Sequence, residues 1–192
     1  HGSLSLTSAI QRSCNPYFMQ LSTELGNERM ANAFDMLNLG RATGVKLPAE
    51  DRGIIPGSEW WRRELHPGES MTPARMAMLA IGQDESEATP LQLAALTACI
   101  ANGGKYYRPR IIKMVVDPKE GILISDIPEL RVDLVTEGMD SAQFADLRQG
   151  MWKAANELGG TARRASPEDV EIGAKTGTAQ TTDFGEKSHN AW

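Results

Sequence analysis

Apolar residues recur along this chain with two periods. From Pro16 the spacing is helical: Phe18, Leu21 and Leu25 share one face of a helix that stops at Gly26. Met30, Ala33, Phe34 and Leu37 continue that spacing in a second helix, capped by Asn27 and ended by Gly40. Three pairs, Asn15-Pro16, Thr72-Pro73 and Thr89-Pro90, set a capping side chain ahead of a proline at the first helical position. The helix after Thr89 carries Leu93, Leu96 and Ile100 and closes at Asn102-Gly103-Gly104. From Ser141 a longer one carries Phe144, Leu147, Met151, Ala154 and Leu158, closing at Gly159-Gly160.

Elsewhere the period is two. In RIIKMVVD, Ile112, Met114 and Val116 alternate with Ile111, Lys113 and Val115. GILIS resumes after Pro118-Lys119-Glu120-Gly121, which predicts a strand pair. VEIGAKTGTAQ predicts another strand. Residues 40–71, rich in Gly, Pro and charge, read as an extended excursion held down by Trp60 and Trp61. Helices first, then strands with one helix between them, predict an α+β fold with an antiparallel sheet. An apolar segment begins at Trp192, and a sheet ending there would leave an unpaired edge. The expectation is a domain that continues beyond it.

Composition narrows the function. The 192 residues suffice for a compact core, and a net charge of −5 argues against nucleic acid as the main partner. No apolar run of about 18 residues exists. The opening HGSLSLTSAIQRS lacks the basic and apolar regions of a signal peptide, which leaves room for an anchor or export signal upstream in a longer protein. Cys14 and Cys99 are too few for a disulfide framework and read as small buried residues, with a single bridge as the alternative. His1, His66 and His189 are scattered without metal-ligand spacing, so neither metal nor cofactor is expected.

The candidate chemistry starts with Lys175-Thr176-Gly177-Thr178. A cation, two hydroxyls and a glycine with no Cβ suit an anion bound beside a backbone. In a regular strand Lys175 and Gly177 face one way, Thr176 and Thr178 the other. A surface strand with a solvated lysine is the plainer reading, and chance alone yields such a triplet in on the order of a few per cent of chains. Ser13-Cys14-Asn15 lies on the connection just ahead of a helix. Asn15 is a cap, a ligand group, or both.

These two motifs, S-x-N then K-T-G, resemble the second and third motifs of the penicillin-binding proteins, whose full pattern is S-x-x-K, S-x-N, K-T-G. SLTSAIQRSCNPYFMQLSTELG, TGVKLPAEDRGIIP, AIGQDESEATPLQLAALTACIANGG and GGTARRA…GAKTGTAQ each resemble monofunctional, class B transpeptidases, most nearly the cell-elongation type. The resemblance runs nearly end to end. Asp84 departs from it, standing where the family usually has glycine.

The resemblance implies a transpeptidase fold shared with serine β-lactamases, incomplete over residues 1–192, with the S-x-x-K segment and the closing strands and helix outside it. It implies an acyl-serine reaction on a peptidoglycan stem peptide ending in D-Ala-D-Ala, and acylation by β-lactam antibiotics. By carry-over Ser13 relays a proton to the leaving nitrogen, and Asn15 holds the acyl-side amide. Lys175 supplies positive potential, Thr176 and Thr178 hold the terminal carboxylate, and the Thr178 N–H forms half of an oxyanion hole beside Gly177. No serine here has lysine three positions later; the near match, Thr43 to Lys46, lies in a different kind of segment. The chain is therefore expected to be inert alone. A β-lactamase or D,D-carboxypeptidase of the same fold, or a non-catalytic β-lactam sensor, are the alternatives. The implied setting is the extracytoplasmic face of a bacterial envelope, beside the elongation machinery, anchored by a membrane helix outside this chain.

Overall fold

A computed structural model describes residues 2–179 and 189–191, with Ala179 and the last three residues as backbone only. Helix α1, Leu6–Gln11, begins where the Ser5 hydroxyl accepts from the Ser8 N–H. Helix α2 spans Asn15–Met36 and is interrupted at Gly26, whose φ of 76° and ψ of 167° only glycine adopts with ease. The two helices expected here are thus two halves joined at that residue.

One expectation is corrected. The cap of α2 is Cys14, which makes no side-chain capping bond, and Asn15 is already the first helical residue. The reason lies in α1, which ends with Ser13 N–H to Ile10 O at 3.1 Å and Cys14 N–H to Ala9 O at 2.9 Å. That paired closure turns the chain early, so α2 is wound from one residue before Pro16.

The excursion over residues 40–71 is mostly loop, but a single π-helical turn, Trp61–Leu65, was not anticipated. Trp61 is fully buried and its Nε1 donates to Glu85 Oε2 at 3.0 Å. Trp60 lies under the Arg52 guanidinium, 4.3 Å from the ring centre. Helix α3, Pro73–Leu79, is capped by Thr72 as expected. Helix α4, Pro90–Ala101, has a reciprocal cap between Thr89 and Gln92. Gln92 is buried and its Nε2 also donates to Arg41 O at 2.8 Å and Arg52 O at 2.9 Å, tying the excursion to α4.

The strands form three antiparallel pairs among the described residues. β1, Lys105–Tyr107, pairs with β4, Leu130–Asp133, and neither was anticipated. β2, Met114–Asp117, pairs with β3, Gly121–Ser125, as the alternation predicted. β5, Gly177–Ala179, pairs with β6, His189–Ala191. The strand predicted over VEIGAKTGTAQ begins only at Gly177, and Gln180 lies outside the described residues. Ahead of it, Ala174 N–H donates to Met151 O at 3.0 Å, and Asn156 Nδ2 donates to Ile172 O at 2.8 Å. That backbone is held by a helix, so it forms no ladder. The expected edge at Trp192 also lies outside the described residues.

Helix α5, Ser141–Asn156, is the spine that positions the site. Leu158, expected on its apolar face, lies past its end and is 84% exposed. α1 lies close against α5 at Gly150, where a Cβ would meet Ile10 Cβ at 2.8 Å. One core cluster joins Cys99, Tyr106, Leu134 and Phe144; a second joins Met30, Met76 and Leu79. Cys14 and Cys99 are both buried and free, so the bridge is not formed. No helix among the described residues is long and apolar enough to cross a membrane.

Candidate active site

Ser13 sits at the left-handed residue that closes α1, with φ 49°. Glycine is usual there because a Cβ crowds the next carbonyl, so a serine at this point stores strain. Residues held in this way are frequent at functional sites. The position is half-buried, and its hydroxyl accepts a hydrogen bond from Lys175 Nζ at 2.8 Å. Lys175 Nζ also donates to Thr176 O at 2.6 Å.

Lys175 is exposed as a residue, yet burial around its ammonium pushes its pKa below the ordinary lysine value. Among the described residues no carboxylate pairs with it. A partly desolvated amine with only neutral oxygen partners favours an incoming anion.

Two further contacts hold the same run. Thr176 Oγ1 donates to Thr161 Oγ1 at 3.2 Å. Thr161 is itself tied to α1, because its N–H donates to Gln11 O at 3.3 Å. Gln11 Nε2 also donates to Glu157 Oε2 at 3.2 Å, so the loop after α5 is tied to the end of α1 at two points. The Thr178 carbonyl accepts from Gln83 Nε2 at 2.6 Å. Gly177 opens β5 opposite Ala191. A hollow of about 560 Å³ is lined by Gly159, Gly160, Thr161, Arg163 and Arg164, and Thr161 links it to Thr176.

The structure therefore brings Ser13 and Lys175 into contact. It ties Thr176 and Thr178 to loops from elsewhere in the chain. Asn15 follows Ser13 at the start of α2; it is exposed, and its side chain makes no hydrogen bond among the described residues. Capping does not account for it. Thr43 is buried, and its hydroxyl donates to Glu50 Oε1, which removes it from the candidate nucleophiles.

Reasoning from sequence missed Thr161 and Gln83. Both lie in segments with a recognisable pattern, GGTARRA and AIGQD, but no spacing rule marks either side chain. Asp84, the departure in AIGQD, has φ 68° and so keeps the backbone conformation that a glycine adopts freely. Its Oδ2 accepts from Arg75 Nε at 2.9 Å. Arg75 also reaches Glu69 at 3.1 Å and Glu85 at 3.3 Å, and lies 4.8 Å above the Trp61 ring. The loop beside Thr178 is thereby clamped.

Comparison with known proteins identifies the family. The penicillin binding protein transpeptidase domain model matches residues 1–192. The peptidoglycan D,D-transpeptidase MrdA of Haemophilus influenzae is 30% identical over 187 residues, covering 94% of this chain and 27% of that protein. Stage V sporulation protein D of Bacillus subtilis is 32% identical over 190 residues, covering 99% of this chain and 27% of that protein. A solved complex between penicillin-binding protein PBP2 and MreC from Helicobacter pylori superimposes with a TM-score of 0.79 at 28% identity. That match covers 99% of this chain and 33% of the other. The chain thus spans about 27% of the length of the curated relatives it matches.

Proposed function

The chain belongs to the penicillin-binding protein transpeptidase domain family, and from that premise we propose that it is part of a peptidoglycan D,D-transpeptidase, with Ser13, Asn15 and Lys175 as catalytic groups and Thr176, Gly177 and Thr178 as the substrate-binding run. The observation that carries this reading is the 2.8 Å hydrogen bond from Lys175 Nζ to Ser13 Oγ. It joins the S-x-N and K-T-G motifs into one site.

In the proposed reaction a serine outside residues 1–192, with the lysine of its S-x-x-K motif, attacks the penultimate D-alanine carbonyl. The tetrahedral oxyanion is received by the Thr178 N–H together with a second donor from the nucleophile's segment. Ser13 passes a proton to the leaving nitrogen, D-alanine departs, and an acyl-serine remains. An amine from a second stem peptide then attacks and forms the crosslink. Asn15 holds the acyl-side amide. Thr176 and Thr178 hold the terminal carboxylate within the positive potential of Lys175. β-Lactams acylate the same serine. Residues 1–192 alone lack the nucleophile and are inert.

By analogy with the MreC complex of the relative, the protein works beside the cell-elongation machinery. It acts on the extracytoplasmic face of a bacterial envelope, anchored by a helix outside this chain.

The test uses the full natural protein and a fluorescent penicillin. Wild type takes up the label and keeps it, and Lys175→Ala slows labelling at least about a hundredfold with an unchanged melting temperature. Normal labelling of that variant removes Lys175 from the site. Rapid loss of label from wild type replaces the transpeptidase with a hydrolase of the same fold.

A further inference from the structure

We propose that Gln83 is a positioning residue of this site, setting the orientation of Thr178 through its main-chain carbonyl; the inference rests on the function proposed above. β5 has three residues and pairs with β6 alone among the described residues. A strand of three residues makes few ladder bonds, so a side-chain bond to its main chain weighs heavily in its orientation. β5 also opens with Gly177, the residue least able to transmit stiffness from Lys175.

The Lys175–Thr178 run is held by side-chain bonds to three separate loops. Ser13 and Thr161 hold it ahead of the glycine, at side chains. Gln83 grips the main chain beyond the glycine, at 2.6 Å. The Thr178 carbonyl and N–H flank one Cα. A fixed carbonyl restrains that residue's ψ and, in a strand of three residues, the direction of the N–H assigned to the oxyanion.

Gln83 is itself held. Its N–H donates to Met78 O at 3.0 Å, and its carbonyl accepts from Ser86 Oγ at 3.0 Å. The next residue, Asp84, is clamped by Arg75. A donor so fixed imposes its geometry on its partner instead of following it.

The experiment compares fluorescent-penicillin acylation of the full natural protein with Gln83→Met and Gln83→Glu, each relative to wild type across pH. Gln83→Met has no donor and slows acylation about tenfold or more, the scale of a displaced catalytic group. Gln83→Glu sets an ionised carboxylate against a carbonyl and slows acylation further at about pH 8, where the introduced acid is charged. Near about pH 5 that acid begins to protonate, its O–H donates to Thr178 O, and the rate relative to wild type recovers several-fold. A loss of packing alone has no such pH dependence. A Gln83→Glu to wild-type ratio that stays flat with pH, or either variant acylating at the wild-type rate at about pH 8, overturns the role of Gln83. A wild type that takes no label overturns the functional reading and this inference with it.

Discussion

Lys175 donates to the hydroxyl of Ser13 at 2.8 Å across a sequence separation of 162 residues. The acceptor stands on a left-handed backbone, φ 49°, and the donor carries a desolvated ammonium. Each partner gives up stability so that the pair can meet. Costs of this kind recur at functional sites.

The strain at Ser13 gives the first prediction. Ser13→Gly relieves the left-handed Cβ, a gain of about 1 kcal/mol or more, partly offset by the greater freedom of glycine in the unfolded chain. The melting temperature is expected to rise or hold, while penicillin acylation of the full protein falls at least about a hundredfold with the lost hydroxyl. Ser13→Ala keeps the strain and loses the hydroxyl, so it is expected to be equally inactive and less stable than Ser13→Gly. Calorimetry on the two variants separates these terms. A lower melting temperature for Ser13→Gly than for Ser13→Ala contradicts the assigned strain.

Much of this was legible from pattern. Thr72 and Thr89 cap their helices because a hydroxyl before proline has few other local uses. β2 and β3 follow from alternation either side of a three-residue turn. α1 was not read, since LTSAIQ is short and half polar and is held by its contact with α5, not by propensity. β1 and β4 were not read, because three or four residues show too little alternation and their pairing is long-range. Ser13 and Lys175 were found because each lies in a motif. Gln83 and Thr161 act through single hydrogen bonds to partners distant in sequence, and nothing in their neighbours encodes that meeting.

The approach of α1 to α5 gives the second prediction. At Gly150 a Cβ would lie 2.8 Å from Ile10 Cβ and 3.1 Å from Ile10 Cδ1. Ile10 is buried and its Cβ is fixed to a helix, so the clash is relieved only by moving α1. Gly150→Ala is expected to destabilise by about 1–3 kcal/mol despite alanine's better helix propensity. It also shifts Ser13, whose N–H donates to Ile10 O where α1 closes, and so slows acylation. Gly150→Ala combined with Ile10→Ala is expected to recover part of the acylation rate relative to Gly150→Ala alone. Melting curves and labelling of the two variants test it, and a stabilised Gly150→Ala shows that the helices do not touch as described.

The last prediction concerns His66, whose ring stacks on Trp61 with centres 4.4 Å apart. Its Nδ1 is 3.0 Å from Glu69 Oε1 and its Nε2 is 2.9 Å from Glu85 Oε2. A carboxylate at each nitrogen makes both of them donors, which is the imidazolium form. The hydrogen bond to Glu69 is the main cause of a pKa raised above the ordinary histidine value. The same bond is the first cause of a Glu69 pKa lowered below the ordinary carboxylate value. A histidine raised on folding contributes stability fully below its unfolded value, about 6.5, and loses it as pH rises through the higher folded value. Glu69 has the opposite sign: its contribution is present above its unfolded value, about 4.3, and is lost as pH falls through the lower folded one. Both contributions are therefore in place between about pH 5 and about pH 6.5. His66→Gln is expected to lower the melting temperature most in that window and least at pH well above the raised folded value, where the wild-type ring is neutral. Added salt should narrow the gap within the window, because these groups are open to solvent. Melting curves of both proteins across pH decide the matter: a gap that does not change with pH means the ring is held by its stacking on Trp61, and the two carboxylates play no part.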